Sequence, residues 1–133
     1  VSYMNYPLFN DSKFNFLIYM RGFKNVLQES SGIIIYGAGK MGKLVRRYME
    51  KEGLGKLLLG FAVSEVSLGK ECAGEGIVRG IYDEAWPRDA LTVVAVFSES
   101  SREEMAVMAK AAGFNDILLM DTYLLRILEE YYA

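Results

Sequence analysis

Gly32-Ile-Ile-Ile-Tyr-Gly-Ala-Gly-Lys-Met-Gly-Lys-Leu44 sets a short β-branched run directly against three glycines spaced G-x-G-x-x-G. The run at 33–36 is too short and too branched for a helix and predicts a strand buried on both faces, as an inner strand of a parallel sheet is. Beyond the glycines, Met41, Leu44, Val45, Tyr48 and Met49 recur at helical spacing, with Lys43, Arg46, Arg47, Glu50 and Lys51 on the other side. That pattern predicts a one-faced helix ending near Gly53. Between such a strand and such a helix, each glycine has a mechanical reading. Gly37 permits the tight turn, Gly39 lets the main chain approach a pyrophosphate, and Gly42 lets the helix close on the strand. The helix start offers unpaired N–H groups and a positive dipole end to an anion, and Lys40 and Lys43 add charge there. The same glycines also suit a fold that keeps them for packing alone.

Working outward, residues 10–28 open with cap-forming side chains and place Phe16, Met20, Phe23 and Leu27 about one turn apart, a helix whose apolar spread suits its own sheet and a partner. Downstream, 57–63 predicts a second strand, 64–80 a long glycine- and charge-rich loop with at most one short element, and 91–97 the clearest strand in the chain. Ser100 and Ser101 each precede a glutamate by three residues, the capping-box pattern. They open a helix with Met105, Met108, Ala109 and Ala112 on one face, stopping at Gly113. Residues 116–120 predict another strand, and Asp121 or Thr122 caps a last helix striped with Leu124, Leu128 and Tyr131. This alternation is that of an α/β protein with a doubly wound parallel sheet in three layers, carrying an extra N-terminal helix. Residues 1–31 read as the helical extension and 32–133 as the nucleotide-binding domain.

Composition narrows the chemistry. The 133 residues suit one domain with a core of its own, and a formal charge of −2 supplies no basic field for nucleic acid. There is no histidine and a single cysteine, Cys72, which removes most zinc sites, Ser-His-Asp triads, Cys-His pairs and internal disulfides. Cys72 reads as a plain loop or buried thiol. No apolar run approaches the roughly 20 residues of a membrane span, and no signal peptide pattern opens the chain. A cytoplasmic setting fits, and Val1 in place of Met reads as a cut or processing boundary.

An acid about 20 residues past the glycines usually meets the ribose hydroxyls in NAD-binding domains. Here the second strand ends Phe61-Ala-Val-Ser-Glu65, so either Ser64 or Glu65 takes that position. No arginine follows to meet a 2′-phosphate, and Lys70 is the nearest basic side chain. Phe97 and Ser98, after the third clear strand, line the opposite wall of the crevice. Tyr19, Tyr82 and Tyr123 are followed four places on by Phe23, Trp86 and Ile127, not by the lysine of a short-chain dehydrogenase Tyr-x-x-x-Lys pair. The one Tyr-x-x-x-Lys spacing, Tyr36 to Lys40, is the glycine turn itself. Catalysis by this chain alone is not expected.

The runs IIIYGAGKMGKLVRRYME, LLGFAVSE, GIVRGIYDEAW and LTVVAVFSESSREEMAVMAKAAGFNDILLM resemble the Rossmann-like NAD(P)- or nucleotide-sugar-binding domain attached to bacterial cell-surface polysaccharide enzymes. Such domains stand beside glycosyltransferases, at the N-terminus of sugar O-acyltransferases and at the front of nucleotide-sugar dehydratases. The resemblance runs from about Gly32 to Met120. It implies that Gly37, Ala38, Gly39, Lys40, Met41 and Gly42 surround the ligand phosphates and that the end of the second strand meets a ribose. Members often read GF-x-D-D at that strand end, where this chain reads GFAVSE. The expectation is a non-catalytic domain that holds or senses NAD(H) or a nucleotide sugar for a larger, fused or associated glycan-assembly enzyme. Two alternatives stand beside it. One is a vestigial scaffold that self-associates through its first helix and residues 129–133; the other is an NAD- or CoA-linked sensor or small oxidoreductase.

Overall fold

The computed structural model describes residues 2–4, 12–65 and 76–133, so Lys70 and Cys72 lie outside the described residues. In chain order the elements are β1 (Ser2–Met4), α1 (Ser12–Glu29), β2 (Ile33–Tyr36), α2 (Lys40–Lys51), β3 (Leu58–Val63), β4 (Val78–Gly80), β5 (Leu91–Val94), α3 (Glu99–Ala111), β6 (Asp116–Leu119) and α4 (Thr122–Tyr132). The strands form one sheet in the order β1-β6-β5-β2-β3-β4, with every pairing parallel. β1 adds an edge strand that hydropathy alone does not announce.

β2 holds the centre because all four of its side chains are apolar enough to be buried on both faces. Its period-2 alternation divides them between two cores. Ile33 and Ile35 join Phe23 and Leu27 of α1, Leu44, Val45, Tyr48 and Met49 of α2, and Leu124, Leu125 and Leu128 of α4. Ile34 and Tyr36 enter a smaller cluster with Ala106 and Ala109 of α3, Phe114, Trp86 and Ile81. The stripe predicted for α2 is the buried one, since Met41, Leu44, Val45, Tyr48 and Met49 are all inside.

Several expectations shift. The third clear strand ends at Val94, three residues early, and Phe97 is exposed beyond it. The capping-box register is corrected: Ser98, not Ser100 or Ser101, is the N-cap of α3. The fully buried face of α3 carries Arg102, Ala106 and Ala109, with Met105 and Met108 only partly covered. Of the two caps proposed for α4, Asp121 is used, and Tyr131 leaves the stripe for solvent. Of the residues spaced along α1, Phe23 and Leu27 are buried and Met20 is partly so, while the side chain of Phe16 falls outside the description.

Candidate functional site

β2 lies between β3 on one flank and β5 on the other. The chain first grows from β2 toward β3 and β4, then returns to the far side of β2, and ligands of open α/β sheets sit outside the strand ends at such a reversal. The glycine turn begins there. Gly37 has φ 129°, and a Cβ on it would stand 2.6 Å from the Ala95 carbonyl oxygen. Its N–H donates to the Ala62 carbonyl at 3.1 Å. A Cβ on Gly42 would run into the Gly37 carbonyl. The first and third glycines are therefore demanded by the turn itself.

Gly39 is different. Its φ of −97° and ψ of −154° are open to any residue, and beyond its two chain neighbours no described atom lies within 4 Å of where its Cβ would be. It is also the N-cap of α2, whose first turn has no side-chain cap. α3 and α4 by contrast are capped by Ser98, accepting from Ser101 N at 3.4 Å, and Asp121, accepting from Leu124 N at 2.7 Å. The first N–H groups of α2 have no acceptor within their own helix. Among the residues expected around the phosphates, Gly39 and Lys40 are exposed, while Gly37, Ala38, Met41 and Gly42 are buried, Ala38 and Met41 within the larger core.

The Lys40 ammonium donates to Glu129 Oε2 of α4 at 2.8 Å. That hydrogen bond, then the charge of Lys40, holds the Glu129 carboxyl below the usual range, with Arg126 adding to the effect. At the end of β3, Ser64 Oγ lies 2.7 Å from the Tyr36 phenol; one hydroxyl donates across that bond and the other is left to donate to Met108 Sδ, 3.7 Å from each oxygen. Ser64 is thus drawn toward the α3 face, while Glu65 is exposed. Burial raises the Tyr36 phenol above its ordinary value, against the opposing hydrogen bond with Ser64.

On the opposite wall, the Phe97 ring is exposed beneath the Arg126 guanidinium, 5.4 Å from the ring centre. Ser98 spends its hydroxyl on capping α3 and on Ser100 Oγ at 3.1 Å. Arg102, only 6% exposed, donates to the Val96 and Phe97 carbonyls at 3.0 and 2.8 Å and to Thr122 Oγ1 at 3.2 Å. It fixes the loop after β5 against the start of α4. Sequence reasoning missed Arg102, Arg126 and Glu129, because a charged residue in an amphipathic helix reads as a solvated one and only the tertiary fold brings these together. A cleft of about 250 Å³ lined by Glu99, Arg102, Glu103, Leu119, Met120 and Asp121 opens beside this wall. Clefts of about 310 and 360 Å³ lie elsewhere, one beside Gly55 and Gly60, the other around Asp89 and Asp116 at the starts of the strands.

Among the described residues, no helix is long and apolar enough to cross a membrane, and no group of three or more His, Cys, Asp or Glu is placed to hold a metal. No protein-family model, curated protein or solved structure matches the chain. Topology defines the class: an α/β protein built on an all-parallel sheet, compatible with a Rossmann-like fold.

Proposed function

We propose that this chain is a doubly wound, three-layer nucleotide-binding domain that takes the diphosphate of NAD(H) or a nucleotide sugar at residues 37–42. α1, α2 and α4 then form one outer layer and α3 the other. The domain performs no reaction of its own and serves a larger cell-surface glycan-assembly enzyme in the cytoplasm, as the family resemblance implies. One observation carries the binding claim. Gly39 is a glycine that neither its backbone angles nor its neighbours require, placed at an uncapped helix start where a main chain must come close to a phosphate. Gly39 would admit the pyrophosphate, the N–H groups at the start of α2 would face it, and Ser64 or Glu65 would meet a ribose.

Calorimetric titration with NADH, UDP-sugars and CoA in parallel tests this, for wild type and Gly39→Val. Binding of NADH or a UDP-sugar that falls at least a hundredfold in the variant is expected, at a cost to stability of only about 1 kcal/mol for the poorer N-cap. Undiminished binding by Gly39→Val would refute the site. A second reading, the vestigial scaffold, is favoured by one feature: Glu129 already occupies the lysine expected to meet phosphate. Silence across the whole panel is its signature, and the search then moves to a protein partner.

A further inference from the structure

A path of contacts leads from the glycine turn through the loop after β5 and α4 back to Lys40, the residue after Gly39. The Ala95 carbonyl abuts Gly37; two residues on, Phe97 lies under Arg126 of α4. Arg126 stands three residues, about one helical turn, before Glu129 on α4. Glu129 reaches Lys40, the first residue of α2, and so returns the path to the glycine turn. The path thus carries two cations from different elements, Lys40 and Arg126, and one carboxylate, Glu129. Both partners of the Lys40–Glu129 pair are largely solvated, with side chains 69% and 40% exposed, so the pair is weak and readily exchanged.

We propose that Arg126 and Lys40 are the paired cations that grip the diphosphate of the bound nucleotide, and that Glu129 holds them in place until the ligand displaces it. The inference rests on the nucleotide-binding reading for its ligand and adds the second helix to the site. A diphosphate offers the same kind of acceptor as the carboxylate, with more charge and several oxygens. An arginine can meet two of these at once, while a lysine supplies a mobile point charge. Phe97 has a role here as well: its ring faces the guanidinium and keeps it at the mouth rather than in bulk solvent.

The test titrates inorganic pyrophosphate and NADH into wild type, Arg126→Gln, Arg126→Lys and Glu129→Gln, each at low and moderate salt, with thermal melting as the check on folding. Arg126→Gln is expected to weaken pyrophosphate about tenfold and to flatten its salt dependence. Arg126→Lys recovers part of the loss, and Glu129→Gln tightens binding about threefold by removing the competing anion. A merely structural role for Arg126 would leave the salt dependence unchanged. If wild type binds NADH through Gly39 but Arg126→Gln and Glu129→Gln bind as wild type does, the clamp is wrong and the nucleotide reading survives. If pyrophosphate follows the expected pattern while NADH and the UDP-sugars do not bind, the clamp stands and the nucleotide reading falls. Absence of pyrophosphate binding in both wild type and Glu129→Gln overturns the clamp.

Discussion

Gly37, Gly39 and Gly42 share one motif and have three different physical reasons, so single-methyl substitutions separate them. Gly42→Ala drives a Cβ into the Gly37 carbonyl, and no flexible side chain is there to yield. A loss above about 3 kcal/mol, or failure to fold, is expected. Gly39→Ala meets open space at ordinary backbone angles, and its stability in urea is expected within about 1 kcal/mol of wild type. Comparable losses at 39 and 42 would mean that Gly39 too is held by packing. The motif was legible because glycine spacing is a local pattern. The partners of Ser64 were not, because its hydroxyl is claimed by Tyr36 and by Met108, distant in sequence.

At the level of elements, the periodic stripe of α2 and the Leu124 and Leu128 positions of α4 were readable, while Tyr131 and the start of α3 were not. Two serines with glutamates three places on pointed to a cap at 100 or 101, yet the helix begins at Glu99. The last rung of β5 is closed early, by Ala95 N donating to Tyr36 O and Met120 N to Val94 O. The carbonyls of Val96 and Phe97 are then taken by Arg102 from within α3, which draws the helix start back to Ser98. Two predictions follow from this arrangement. Ser98→Ala is expected to cost about 0.5–1 kcal/mol, with Ser100→Ala near neutral, and Asp121→Ala about 1 kcal/mol because its bond to Leu124 N is the shorter one. Arg102→Met keeps the apolar stem and strands three acceptors, so a loss of about 2–3 kcal/mol is expected in the same urea series. A neutral Arg102→Met would show that water replaces the guanidinium without penalty.

Across the whole molecule, βαβ alternation made the parallel sheet readable, whereas the strand order did not follow from it. Pairing of β1 with β6 joins the two most distant strands of the chain, a contact no local window contains. The order matters because it sets β2 between two cores of unequal size, and a polar tie runs from β2 through the smaller. Tyr36 ends the central strand and bonds Ser64 at the end of β3, and one hydroxyl of that pair is left to reach Met108 of α3. Because burial raises its phenol in the folded state, the neutral form is favoured there. Its contribution is therefore fully present below the ordinary tyrosine value of about 10 and is lost as pH rises through the folded-state value. Tyr132 is shifted the same way, first by burial and then by Glu52, so alkaline destabilisation of wild type has more than one source. Tyr36→Phe isolates the first of them. It is expected to be about 1 kcal/mol less stable than wild type at pH 8, where the bond to Ser64 is missing, and the gap should narrow between pH 8 and 10.5. A gap that stayed constant over that range would mean that the Tyr36 phenolate forms without disturbing the smaller core, and that the tie between β2, β3 and α3 does not depend on its proton.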